Sequence, residues 1–314
     1  MSNIKLNQLA MLVAVVDAGS FSKAAAALDC TQSRISHAIG ELEKHVGKRL
    51  LVRAHAGSVV TDDGRRVLHQ ARQILALVAE LETPAIDAPL AGAVRLACFR
   101  SIGTHVVPYA LQALARRHPG IEVTMVDDCD SADDVHAAVL AGRAELGIGC
   151  APYEEELVAQ PLLADDYVLV LPSGLALKEP LTWDQLAALP LIEPATRRGA
   201  AVIERMRADG LRASAVQRMV ADSSIMSRVA LGQAYSVFQH LAAFPAPPGV
   251  RVVPAPLAAQ REFAVVALPH QARNPLVRAL SAVLRDRRIL SRMPVAIHGI
   301  VHLRVAPGGE QGLR

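Results

Sequence analysis

The sequence predicts an α/β protein in two unequal parts: a small helical module with a hairpin at the N-terminal end, and two α/β lobes behind a long connecting helix. Three observations predict it. Apolar residues recur at helical spacing over the first 46 residues, Pro84 to Pro89 interrupts a long helix, and beyond it β-branched and leucine-rich runs alternate with helical ones. Length agrees, because 314 residues correspond to about two domains at ~150 residues each, and a hydrophobic share of 52% supplies their cores. The longest early apolar run, Leu9 to Val16, is far shorter than the ~18 residues of a membrane span, and no secretory pattern precedes it. Four cysteines, Cys30, Cys98, Cys129 and Cys150, lie far apart without a C-x-x-C pair, which argues against a disulfide framework and a cysteine zinc site. The expectation is a cytoplasmic protein without a membrane partner.

Leu6, Leu9, Leu12, Val13 and Val16 share one helical face that stops at Gly19, and Ser20 and Ser22 can cap a short alanine-rich helix ending near Leu28. After a break at Asp29-Cys30, Thr31 caps a third helix reaching about Val46. Its face Ile35, Ala38, Ile39, Leu42 and Val46 is apolar, and its opposite face carries Gln32, Ser33, Ser36, His37 and Gly40. Residues 48–60 read as a hairpin turning near Ala56-Gly57. Thr61 then caps a long helix in which Val67, Ala71, Ile74, Val78 and Leu81 step by alternating fours and threes. That stripe suits either a dimer seam or packing on its own module.

Past the hinge, strands are expected at Val94–Ala97, Ile121–Val126, Leu146–Gly149, Tyr167–Leu171, Leu189–Ile192, Val216–Val220, Tyr235–Phe238, Val250–Val253 and Phe263–Leu268. Helices from Ser101 to about His118 and from Ser131 to Ala141 alternate with them, which predicts parallel βαβ units in two lobes. Leu241 to Gln260, rich in Ala and Pro, reads as surface loop around one strand, and Val295–Val305 as a strand in a loose tail.

Residues 20–39 satisfy the physical requirements of a helix-turn-helix: Ala24 and Ala25 let two helices cross closely, the turn is short, and Ile35 anchors the third helix from below. On that reading Thr31 and the free N–H groups of the first turn hold phosphate, and Gln32, Ser33, Arg34, Ser36 and His37 reach base edges or phosphates in the major groove. An ordinary three-helix bundle with a polar outer face gives the same spacing. Charge leans one way. The net charge is +3, and residues 1–66 hold nine Lys/Arg against six Asp/Glu, so the whole excess sits at this end.

Here the sequence resembles the LysR-type transcriptional regulators. Gly19-Ser20-Phe21-Ser22, Ala24-Ala25, Leu28, Thr31-Gln32, Ile35-Ser36, Ile39, Leu42-Glu43, Gly47, Leu50, Arg53, Thr61 and Gly64 all fall in that family's register. The resemblance implies a winged helix-turn-helix over 1–60, a dimerising linker helix over 61–83, a hinge at 84–91 and an effector-binding domain over 92–314. That domain would be two-lobed like a periplasmic binding protein, with lobe 1 at about 92–163 and 264–290 and lobe 2 at about 164–263. It implies a homodimer or homotetramer bound to double-stranded operator DNA and controlled by a small-molecule effector, with RNA polymerase a candidate further partner and no cofactor. By position, Gln32, Ser33, Ser36 and His37 correspond to the family's groove-facing residues and Arg53 to its wing. Ser33 stands where proline is usual and His37 where arginine is often found, which loses a bidentate guanine reader that Arg34 can replace.

The resemblance places the effector between the lobes. Arg100, Ser101 and Thr104 follow the first strand, Ser131 opens the next helix, Thr196 follows another strand end beside Arg197 and Arg198, and Ser223-Ser224 opens a helix of the other lobe. Hydroxyls beside free N–H groups suit an organic anion, and each of them equally suits plain helix capping. Cys98 and Cys150 follow strand ends; nothing beside them lowers a thiol pKa, so buried structural cysteines are expected over a redox pair. Two other classes compete. An α/β enzyme would use the same cleft, but no P-loop, no G-x-S-x-G and no complete dinucleotide fingerprint is present, Gly147-Ile148-Gly149 lacking its third glycine. A solute-binding protein would need the lobes alone and leave the N-terminal module without purpose. His298 and His302 have helical metal-ligand spacing in a segment that reads as strand, and no metal site is expected.

Overall fold

The computed structural model describes residues 4–54, 57–82, 89–178, 180–195 and 197–305. The N-terminal unit contains α1 (Leu6–Ala18), α2 (Phe21–Ala27), α3 (Gln32–Val46), an antiparallel hairpin of β1 (Leu51–Ala54) and β2 (Gly57–Val60), and α4 (Asp62–Glu82). Local chemistry accounts for its boundaries. Gly19 and Gly47 close α1 and α3 in the left-handed region at φ 71° and 72°, while Ser20 and Thr31 accept hydrogen bonds from Lys23 N and Arg34 N as caps of α2 and α3. Leu12, Val15, Ala24, Ile35, Ile39 and Leu42 from α1, α2 and α3 meet Leu68 and Ala71 of α4 in one core.

Several positions shared with the family have visible work here. Glu43 Oε1 accepts from Leu50 N at 2.8 Å and ties α3 to the hairpin. Thr61 donates to the Arg49 carbonyl at 2.7 Å and caps Gly64 N at 2.9 Å. Gly64 passes so close to the hairpin that a Cβ would overlap the Leu50 carbonyl. The hinge residues 84–88 lie outside the described residues.

The second part contains β3 (Ala91–Cys98), α5 (Arg100–His105), α6 (Val107–Arg117), β4 (Gly120–Val126), α7 (Ala132–Leu140), β5 (Leu146–Cys150), β6 (Val158–Pro172), β7 (Leu191–Pro194), α8 (Arg197–Ala208), β8 (Val216–Met219), α9 (Asp222–Ala230), β9 (Tyr235–Gln239), β10 (Val250–Pro254), β11 (Gln260–Ala267), α10 (Pro275–Leu284), α11 (Arg287–Leu290), α12 (Pro294–Ile297) and β12 (Val301–Leu303). Its strands run in the order β4-β3-β5-β11-β6-β9-β7-β8, with β10 and β12 paired to β6. One lobe is built on β4, β3 and β5, the other on β9, β7 and β8, and β6 and β11 join them as an antiparallel pair. Two Gly residues let α7 lie close on β5: a Cβ at Gly147 would strike Val135 and Val139, and one at Gly149 would strike His136. The Gly147-Ile148-Gly149 run thus serves packing.

The structure departs from the sequence expectations at four places in the fold. The parallel units are real for β3, β4 and β5 and for β7, β8 and β9, but β6, β10, β11 and β12 pair antiparallel, because long strands cross between the lobes and return. The helix expected over Ser101 to His118 is two helices that break at Val106, where Pro108 at the start of α6 has no N–H to continue α5. Val295–Val305 is no loose tail: α12 and β12 bury Val295, Ile300, Val301 and Val305 in the first lobe's core, so that lobe continues past residue 290 to 305. Leu241 and Ala243, expected in surface loop, are buried as well.

Candidate functional site

On α3 the helical period separates two faces. Ile35, Ile39 and Leu42 are buried against α1 and α2, while Thr31, Gln32, Ser33, Arg34, Ser36 and His37 are all exposed. The Thr31 hydroxyl is already engaged with Arg34 N at 3.3 Å, so a phosphate at this end would meet the remaining N–H groups of the first turn. Arg53 belongs to β1, opposite Ser58. The outer face therefore carries hydrogen-bonding groups on a rigid helix whose inner face is fixed in a core, which is what insertion into a groove requires.

The α4 stripe divides. Ala71 is buried in the core of the N-terminal unit at 1% exposure and Val67 packs against it, which removes Ala71 from any intermolecular seam. Leu68 and Leu75, outside the expected stripe, do the same inward work, because α4 must cover α1. Ile74 and Leu77 are exposed and Val78 partly so; the side chain of Leu81 lies outside the described residues.

Between the lobes the structure brings some of the predicted residues together. Arg100, exposed at the start of α5, stands 3.9 Å from Asp130 in its own lobe and 3.7 Å from Asp222 at the start of α9 in the other. Ser131 neighbours Asp130, and Ser223 and Ser224 neighbour Asp222 in the first turn of α9, both exposed. Ser101 lies half-buried in the first turn of α5. One placement differs from expectation. Thr104 is in the last turn of the short α5, not at the start of a helix, because the helix breaks at Val106. Ser131 spends its hydroxyl in a capping box, accepting from Asp134 N and donating to the Asp134 carboxylate at 2.7 Å, which is the plain capping role. Thr196 lies outside the described residues.

Sequence reasoning missed the residues at the crossing itself. Arg261 of β11 sits opposite Asp165 of β6 and binds it through two parallel bonds, Nε to Oδ1 at 2.8 Å and Nη2 to Oδ2 at 2.7 Å. Asp165 is fully buried and also accepts from Leu241 N at 2.9 Å. The guanidinium lies 4.8 Å from the Phe263 ring centroid and 5.6 Å from that of Phe99. Burial raises the Asp222 carboxyl above its ordinary value, with Arg100 and Arg261 pulling the other way. The one available signal was Arg261-Glu262 at the head of an otherwise apolar strand.

The cysteine expectation is met by burial. Burial first, then Cys129 and Asp127, pushes the Cys98 thiol up to about 12, and burial also raises Cys129. His302 bonds Asp166 at 3.0 Å and His298 stacks near Phe244; among the described residues no group of His, Cys, Asp and Glu is arranged to hold a metal. Among them, too, no single helix is long and apolar enough to cross a membrane.

Residues 6–65 match the family described as bacterial regulatory helix-turn-helix protein, lysR family, and residues 87–288 match the LysR substrate binding domain. The chain belongs to the LysR family. It is a LysR-type transcriptional regulator, with a DNA-binding helix-turn-helix and an effector-binding domain. Among curated relatives, the probable HTH-type transcriptional regulator LrrA of Synechococcus elongatus is 33% identical, over 90% of this chain and 97% of its own. The uncharacterized HTH-type regulator YfeR of Shigella flexneri is 28% identical, over 91% and 94%. In fold the LysR-type chain resembles full-length OxyR of Pseudomonas aeruginosa (TM-score 0.71, 18% identity, 90% of this chain and 98% of that one). It also resembles ArgP of Mycobacterium tuberculosis (TM-score 0.70, 19% identity, 88% and 95%).

Proposed function

We propose that this regulator reads its operator through the exposed face of α3, with Gln32, Ser33, Arg34, Ser36 and His37 in the major groove, Thr31 at the phosphate and Arg53 on the wing. The observation that carries this reading is the division of α3 into a buried apolar face and a fully exposed polar one beside an N-terminus capped for anion contact. The functional units are 1–60 for DNA, 61–83 as linker helix, 84–91 as hinge, and the rest as effector domain, with the lobes changing hands near Asp165 on β6 and Arg261 on β11. Dimerisation uses Ile74, Leu77, Val78 and Leu81, and a homodimer or homotetramer is the working form. The protein acts in the cytoplasm, by binding and without catalysis of its own, and RNA polymerase is a further partner.

The effector is a small charged molecule with a carboxylate or comparable anion, held between the lobes. Arg100, Ser101, Ser223, Ser224 and Asp222 support this, since a cation of one lobe already faces the helix start of the other. An OxyR among the structural neighbours is H2O2-bound, but here burial pushes the Cys98 thiol up to about 12, away from the thiolate that thiol oxidation needs.

Footprinting on the DNA upstream of the regulator's own gene, at two salt concentrations, tests the reading. Protection of dyad-related half-sites that outlasts scrambled competitor supports it, and equal loss on both DNAs sinks it. Gln32→Ala and Arg34→Ala should each cost about 1–3 kcal/mol in operator affinity and relax specificity at one base pair. Unchanged specificity removes that residue from the reading set.

A further inference from the structure

A cavity lies away from the cleft between the lobes. It has a volume of about 270 Å³ and sits where α1 and α4 of the N-terminal unit meet the first lobe; its lining is partly apolar, and its polar side is formed by His69, Arg72, Arg95, Glu145, His270 and Gln271. That volume is at the low end of ligand pockets, which run from ~300 Å³ upward, and suits a metabolite of few heavy atoms.

Its charges are unevenly met. The Arg72 side chain is nine-tenths buried, yet Asp17, its carboxylate partner among the described residues, is nearly half exposed. The guanidinium also donates to the Ala141 carbonyl, while its buried Nε has no partner among the described residues. Desolvation lowers the Arg72 pKa in spite of Asp17, the mark of a buried cation short of negative charge. Arg95 gives Nε and Nη2 to Glu145 and the Gly142 carbonyl, and among the described residues Nη1 donates to no acceptor. His69 and His270 line the cavity as well.

We propose that this joint is a second binding site, for a small oxyanion-bearing metabolite, separate from the effector cleft. The chemical class follows from the lining: a carboxylate or phosphate group would supply acceptors to Arg72 and Arg95 and lie against His69 and His270. Position gives the site a consequence. α7 runs about 13 Å from the cleft, where Asp130 precedes its cap beside Arg100, to this joint, where Arg72 holds the Ala141 carbonyl. Gly142 leaves no room for a side chain there, since a Cβ would stand 2.7 Å from Arg72 Cδ. An anion bound at Arg72 therefore braces α4 against the end of the helix whose other end borders the cleft.

Calorimetric titration of the full chain with inorganic phosphate and with citrate, at ionic strength held constant with sodium chloride, tests this. The expected result is saturable binding that His270→Ala and Arg72→Gln weaken at least tenfold and that Arg100→Ala, in the cleft, leaves in place. His270→Ala decides the matter, because it leaves the Arg72–Asp17 and Arg95–Glu145 pairs in place. Absence of saturable binding overturns the proposal, and so does binding that survives His270→Ala or disappears in Arg100→Ala, which would assign the anion to the cleft. Footprinting of the same preparations keeps the test distinct from the operator reading, because a variant that still protects DNA while losing phosphate has lost only this site.

Discussion

Arg261 and Arg100 stand on the same cleft and each faces a carboxylate of β6 or α9, but the two pairs are physically opposite. Arg261 and Asp165 are 11% and 0% exposed and locked by parallel bonds, whereas Arg100 is 72% exposed and lies beyond ordinary hydrogen-bond length from both Asp130 and Asp222. Burial makes the first pair part of the scaffold, since neither charge has water to return to. Exposure leaves the second free to exchange partners at little cost. A cleft that must open and close around a ligand needs both: a crossing that keeps its register and a wall that can let go.

The largest expected effect breaks the first half of this contrast. Asp165→Ala strands the Arg261 guanidinium and the Leu241 N–H in a dry crossing, and should cost about 3–5 kcal/mol of unfolding free energy in urea melts. The double variant Asp165→Leu with Arg261→Met removes both charges and should recover much of that loss. A deficit of about 1–3 kcal/mol should remain, because Leu241 N–H still lacks its acceptor. If the double variant is as unstable as the single one, the ion pair holds the crossing through geometry that apolar packing cannot replace.

The same contrast explains what was legible in the sequence. α3 and its caps could be read because every signal is local: Thr31, then Ile35, Ile39 and Leu42 four, eight and eleven residues on. The resemblance of residues 19–64 to the family added the wing and the linker, and Glu43, Thr61 and Gly64 turn out to hold hairpin and helix together. The first half of β6 was invisible, because Pro161, Asp165 and Asp166 do not look like strand and are held by β11 almost a hundred residues away. The cleft was half-legible for the same reason. Arg100, Ser223 and Ser224 could be picked out at element starts, but Asp222 and Arg261 matter through partners in another lobe, and the joint exists only once Arg72 of α4 reaches the Ala141 turn and shares a cavity with Arg95.

Arg100→Ala sharpens the other half of the contrast. Its midpoint in thermal or urea unfolding should stay near that of the unaltered protein, a change of about 0–1 kcal/mol, because an exposed arginine at these distances contributes little. A loss approaching that of Asp165→Ala would mean that the lobes are clamped through Arg100 and that the cleft wall is as rigid as its floor.

A third pair, Arg117 with Asp286, lies between these extremes and gives the smallest effect with the clearest sign. Arg117 Nη2 stands 2.7 Å from Asp286 Oδ2, and Asp286 Oδ1 accepts from Arg288 N at 2.8 Å, tying α6 to α11. Burial by itself would raise this carboxyl, but the Arg117 and backbone hydrogen bonds outweigh it and hold the pKa below its ordinary 3.8. A folded-state pKa below the unfolded one adds stability that is present above the unfolded value and is lost as pH falls through the folded one. Arg117→Ala should therefore cost about 0–1 kcal/mol near pH 7, and the gap between the two proteins should narrow as the pH falls below 3.8 and Asp286 protonates in both. A gap that stays constant from pH 7 until Asp286 is fully protonated would assign the effect to the packed stem of Arg117 and remove charge from the account of how α6 and α11 are joined.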